Sequence, residues 1–321
     1  MKTKGLIINL LNLIRNLKNK VTAIHTFSPN ELVKQFSKQD SYWENNTFRD
    51  FDKFGFHRIE QVRHLMTISL PPHRKTFHDF FLVTKGVIHR GKGINKYNIT
   101  QNTFCFIPAY TITFDALGSD DVEGFICHFD NNIINLEHHP FLRNLDFLSF
   151  TGYPLITIPQ EYLDNILHLL HRIEQESTTN LADKYLLIQS YLITLLLELN
   201  RFAQAQNPVS KDKNSILAEK FKRLLHLHIQ TKQKVTDYAE LLFISPNHLN
   251  KCVKSATNQT VSEWIDEMII LESKVLLSQS NLSIAEVAFK IGIEDQSYFG
   301  RLFKKKTSLT PSEYRKMIEK S

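Results

Sequence analysis

Asn247, Asn250, Lys251 and Lys254 share one side of SPNHLNKCVKSATNQTVSEW, and fifty positions later Ser297, Gly300, Arg301 and Lys304 hold the same places in DQSYFGRLFKKKTSLTPSEY. Amides and cations of this kind bond base edges: Asn and Gln suit adenine N6 and N7, and Lys and Arg suit guanine O6 and N7. Gln296 adds an amide to the second set, and Lys254, Lys304, Lys305 and Lys306 can neutralise phosphates. Competing chemistry has no comparable pattern. The chain contains no GxSxG, P-loop or HExxH motif, and Cys105, Cys127 and Cys252 form no CxxC pair. No catalytic residue, metal site or cofactor is therefore expected, and the chain does not read as an enzyme.

Elements that could carry these side chains are written around them. In the first copy VTDYAELL reads as a short amphipathic helix, FIS as a break, and Ser245 as an N-cap followed by Pro246. In the next helix Leu249, Cys252, Val253 and Ala256 are expected on the buried side. The second copy repeats the plan, with a Ser283/Glu286 capping box, a turn at Gly292 and an Asp295 cap, and with Phe299, Leu302 and Phe303 buried. Both copies end in further capping boxes, Thr260/Glu263 and Thr310/Glu313. A short helix, a turn and a second helix with a polar face is the plan of a helix-turn-helix. Between the copies SEWIDEMIILESKVLLSQS reads as one helix roughly 27–30 Å long. Successive major-groove faces lie about 34 Å apart, so one rigid spacer could set both reading helices on one side of a duplex.

At these residues the sequence resembles the AraC/XylS family of bacterial transcription regulators, most closely in SIAEVAFKIGIEDQSYFGRLFKKKTSLTPSEYR and more weakly in LLFISPNHLNKCVKSATNQTVSEWI. The resemblance implies that Asn247, Asn250 and Lys251 face bases from the first helix, and Gln296, Ser297, Gly300 and Arg301 from the second. Ile269 departs from the family's usual arginine, Asn258 and Ser308 from glycine, and Ile293 from phenylalanine. Gly300 has no side chain to contact a base, so the second helix either reads through Gln296 and Arg301 or anchors phosphate.

The rest of the chain differs in composition. Residues 211–321 hold 18 Lys+Arg against 13 Asp+Glu, while 17 of 23 phenylalanines lie in the first 150 positions. A basic end favours a polyanionic partner there. Residues 54–130 read as short strands (VRHLMTISL, HDFFLVTKG, KYNITQNTFCFIPAY, TITFDAL and EGFICHFD), the pattern of a sandwich or barrel. They resemble in outline the cupin-like sensing domain that family members often carry. A metal cupin needs converging ligands, and this chain offers His73 and His78 but Phe80, Phe81, Thr111 and Thr113 near the remaining places. Two apolar stripes follow, Tyr162 to Ile173 and Leu181 to Leu199, joined by ESTTN into a helical hairpin that either packs on the strands or forms a dimer interface. AQAQNPVSKDKNS, 203–215, loses periodicity and reads as a linker.

The expected architecture is α+β: an entry segment with a leading amphipathic helix (1–53), a cupin-like sensing or dimerisation domain (54–202), a linker (203–215), and an all-α domain of two helix-turn-helix units on a long helix (216–321). The MKTKGLIINLLNLIRNLKNK start is interrupted by Asn9, Asn12 and Arg15 and reads as neither signal peptide nor membrane span, which places the chain in the cytoplasm. Expected partners are double-stranded DNA, a small-molecule effector whose binding residues are unassigned, a second copy of the chain, and RNA polymerase if the chain activates. The competing readings are a cupin-type enzyme and a protein-interaction adaptor.

Overall fold

A computed structural model describes residues 26–37, 50–65, 70–116, 118–135, 139–206 and 212–319. The expected leading helix lies outside them. Helix α1 (Pro29–Phe36) is closed by a Ser28/Glu31 capping box. Eight strands follow: β1 (Phe54–Arg58), β2 (His78–Lys85), β3 (Ile88–Lys92), β4 (Asn95–Ile99), β5 (Thr103–Ile107), β6 (Thr113–Ala116), β7 (Glu123–Phe129) and β8 (Leu155–Thr157). They make a five-stranded sheet, β1-β7-β2-β5-β8, and a three-stranded sheet, β4-β3-β6, with every named pair antiparallel. VRHLMTISL is not the strand expected of it where it is described: Val62 ends a single helical turn and residues 63–65 form a turn.

The five-stranded sheet is buried on both faces, and the alternation of its strands sorts the side chains. Phe54, Phe56, Phe80, Phe104, Phe106 and Phe125 face one core, and Phe81, Val83, Cys105 and Ile107 face the other. Against the phenylalanine face packs the hairpin of α2 (Leu163–Ser177) and α3 (Lys184–Gln206), through Ile166, Leu170, Ile188, Leu192 and Leu195. The aromatic wealth of the first half is thus sheet core. Helix α3 is long and apolar enough to cross a membrane by length and composition, and about a third of that stretch is buried in the fold. Leu181 and Tyr162, expected on the buried stripes, are exposed because each precedes its helix.

The expected linker is shorter than 203–215. Helix α3 runs on to Gln206, whose side-chain amide bonds both the N–H and the carbonyl of Thr157, and α4 (Lys213–His228) already begins after the Asp212 cap. Residues 207–211 lie outside those described.

Between the sheets the interior is ionic. Arg90 donates to Asp79 at 2.7 Å and to Asp115 at 2.6 Å, and Lys75 pairs with Asp79. Lys92 donates to the carbonyls of Ser149 and Gly152, both at 2.8 Å. Burial pulls both ammonium groups down, Lys75 and Lys92 each to about 8. Burial opposes ionisation of Asp79, yet Arg90 and Lys75 bring its carboxyl below the usual range. His73 Nδ1 donates to the Pro71 carbonyl (2.9 Å), and His78 lies between Asn131 (3.0 Å) and the Ala109 N–H (3.1 Å), so protein groups already bond both histidines singled out as metal candidates.

The remaining helices are α5 (Val235–Leu241), α6 (Pro246–Thr257), α7 (Val261–Gln279), α8 (Ile284–Lys290), α9 (Gln296–Thr307) and α10 (Pro311–Glu319). They share one core in which Phe221, Tyr238, Leu249, Val253, Val275, Phe299 and Phe303 are fully buried.

Candidate nucleic-acid interface

Each reading helix is set by a cap at its start and a packed stripe along its inner side. Ser245 Oγ accepts the His248 N–H at the head of α6, and Asp295 accepts the Ser297 and Tyr298 N–H groups at the head of α9. Leu249, Cys252 and Val253 anchor α6, as Phe299, Leu302 and Phe303 anchor α9. Ala256, expected on the buried stripe, faces solvent in the last turn. Both helices have 12 residues and end in a left-handed residue, Asn258 at φ 60° and Ser308 at φ 66°, so the two departures from glycine fall where glycine costs least.

The sharp turns also correspond. Phe243 (φ 56°) and Gly292 (φ 82°) occupy the same place, each donating its N–H three residues back while the next residue, Ile244 or Ile293, donates to an alanine carbonyl. The second turn then has one residue more before its cap. A side chain at Gly292 would strike the Gln233 amide, which donates to the Ile291 carbonyl and braces one unit against the other.

Asn247, Lys251, Lys254, Gln296, Ser297, Arg301, Lys304 and Lys305 are all exposed. Among the described residues, the carboxylate that pairs with Arg301 is Asp295, at a long 3.9 Å. Asn250 is different: half-buried, its Oδ1 accepts the Val261 N–H at 3.0 Å. Gly300 is also half-buried, and a Cβ there would meet nothing within 4 Å. Sequence reasoning passed over His248 and Tyr298, which stand exposed at matching positions of the two helices. Their fifty-residue offset was the available signal.

Helix α7 joins the two units. With 19 residues it is about 28 Å long. It begins at the Thr260/Glu263 capping box and serves as the first packed helix of the second unit, with Trp264, Ile265, Met268 and Ile269 buried along it. Ile269, in place of arginine, is simply part of this core.

Residues 238–317 match a family model described as a helix-turn-helix domain. The carboxyl-terminal domain is of the AraC/XylS type. The chain is 24% identical over 160 residues to the HTH-type transcriptional activator RhaR of Mannheimia succiniciproducens, covering 50% of this chain and 57% of that one. It is 35% identical over 81 residues to the arabinose operon regulatory protein of Escherichia coli, covering 25% and 28%. The chain thus spans about half, or less, of the length of these relatives. Over more of its length it overlaps the solved structure of ToxT from Vibrio cholerae, with a TM-score of 0.39 at 17% identity, covering 83% of this chain and 98% of that one.

The sandwich touches the AraC-type domain on α7. Arg74 forms a bidentate pair with Glu272, at 2.8 and 2.5 Å, and Glu272 is 1% exposed. Ser278 donates to the Pro72 carbonyl at 3.0 Å, the Arg74 N–H reaches Gln279 at 3.3 Å, and Phe150 stacks on His226 with centroids 4.9 Å apart. Beside this contact opens a cleft of about 1470 Å³, walled by the sandwich on one side and by α7, the end of α9 and α10 on the other.

Proposed function

We propose that this protein is a sequence-specific DNA-binding transcription regulator, in which residues 216–321 read DNA and residues 54–202 sense a small molecule. The observation that carries the reading is the pair of exposed amide-and-cation faces on α6 and α9, both packed against one connecting helix about 28 Å long. Asn247 and Lys251 would bond bases in one major groove, Gln296 and Arg301 in the next, with Lys254, Lys304 and Lys305 on phosphates. Selection from randomised duplexes by the full chain tests it. Enrichment of two sequence blocks about 10 base pairs apart is the expected outcome. Salt-steep binding without enrichment would leave only a nonspecific role.

We assign the effector to the interdomain cleft rather than to the inside of the sandwich, whose interior is filled by the Lys75, Asp79, Arg90 and Asp115 ions. The cleft has apolar walls, Ile94, Phe114 and Leu271 among them, and three lysines, Lys96 from β4, Lys274 from α7 and Lys306 from the end of α9. Burial and then the charge of Lys96 lower the proton affinity of Lys274. An apolar body with one anionic head fits this lining. The fluorescent sulfonate 8-anilino-1-naphthalenesulfonate should bind, and Lys274→Gln should weaken it about tenfold while the uncharged N-phenyl-1-naphthylamine is unaffected. Equal loss of both probes would remove the anion from this reading. Dimerisation and contact with RNA polymerase remain further expectations of the same reading, as does a cytoplasmic location.

A further inference from the structure

Asn250 and Gly300 occupy equivalent positions on the two reading helices, and so do the residues that start the helices behind them, Val261 and Pro311, fifty positions apart. In the first unit the Val261 N–H lies in the first turn of α7, where no carbonyl within the helix can accept it, and Asn250 Oδ1 takes it at 3.0 Å. In the second unit Pro311 has no N–H to satisfy, and Gly300 has no side chain to offer. The two differences therefore compensate one another. An acceptor is present where a donor needs it and absent where the donor is absent.

We infer that Asn250 is a positioning residue rather than a base reader: it fastens the first reading helix to the connecting helix, and Gly300 with Pro311 forms the same joint without a hydrogen bond. Asn250 is half-buried while Asn247 and Lys251 are exposed, which leaves base contact to the latter two. The joint fixes the angle between α6 and α7 and so the pose in which Asn247 and Lys251 meet a groove. Gly300 then needs no role in recognition. The empty space around its Cβ position agrees, since no packing demands glycine there.

The inference rests on the DNA-reading proposal, and the test separates the two. Asn250→Asp keeps the acceptor for Val261 but cannot donate to adenine N7, so base preference at every position should match the parent even if the added charge lowers affinity evenly. Asn250→Gly should weaken the selected duplex about fivefold without altering preference. Adding Val261→Pro, which transplants the joint of the second unit, should return affinity to within about twofold, because proline at the first helical position removes the orphan donor. Loss of preference at one base pair in Asn250→Asp would overturn the inference. So would an Asn250→Gly/Val261→Pro variant no better than Asn250→Gly. If the parent binds no DNA, the functional proposal fails, and the joint is still judged by whether the double variant regains the thermal stability lost in Asn250→Gly.

Discussion

Phe243 holds a left-handed conformation with its ring 94% exposed, at the place where the second unit uses Gly292. A left-handed non-glycine residue costs about 1–2 kcal/mol, of which the lost chain entropy of glycine gives back part. Phe243→Gly is therefore expected to raise stability by about 0.5–1 kcal/mol, read as a shift of the urea midpoint at constant slope. At this scale the outward faces of the two helices were partly legible: helical spacing alone puts Asn247, Lys251, Gln296 and Arg301 on the exposed side, where the structure has them. The bond from Asn250 to Val261 could not be read in this way, because it joins residues eleven apart on two different helices whose crossing is a tertiary fact.

At the scale of elements, the helices were legible because their ends are written locally. The Ser283/Glu286, Thr260/Glu263 and Thr310/Glu313 boxes all close with both expected bonds. Strand β3 was missed for the opposite reason. Its buried side chains are Arg90 and Lys92, which sit inside because Asp79, Asp115 and two backbone carbonyls receive them, and an apolar alternation never appears. The division of labour along α6 and α9 gives a second expectation. Lys251→Ala and Arg301→Ala should each cost about 1–3 kcal/mol on the selected duplex and relax preference. Lys305→Ala should weaken all sequences evenly and make the salt slope shallower, as titrations between 50 and 200 mM salt would measure.

For the whole molecule, the contact between sandwich and α7 is the feature no sequence pattern announced. Removing Arg74 leaves the Glu272 carboxylate buried without its cation, a change of about 3–5 kcal/mol for a buried pair. Arg74→Ala should split a shared calorimetric transition into two. A single unchanged transition would mean the ion pair does not hold the domains together. The sandwich should also be the acid-labile part. Burial above all holds His57 and His73 down at about 3 and His78 and His128 at about 4, against an ordinary 6.5. The folded sandwich keeps these rings neutral while the unfolded chain protonates them below 6.5, so stability is full above that pH and falls as pH drops toward 4. Hydrogen exchange at pH 5 against pH 7 should show lost protection in β2 and β7.

The two reading helices are alike in frame and unlike in face: Asn247 and Lys251 on one, Ser297 and Arg301 on the other, with the longer turn only in the second unit. On the proposed function, a single chain bound across both grooves would be a vector. Its target has a head and a tail, and inverting that target in a promoter would swing the sandwich to the opposite side of the start site without changing one protein–DNA contact.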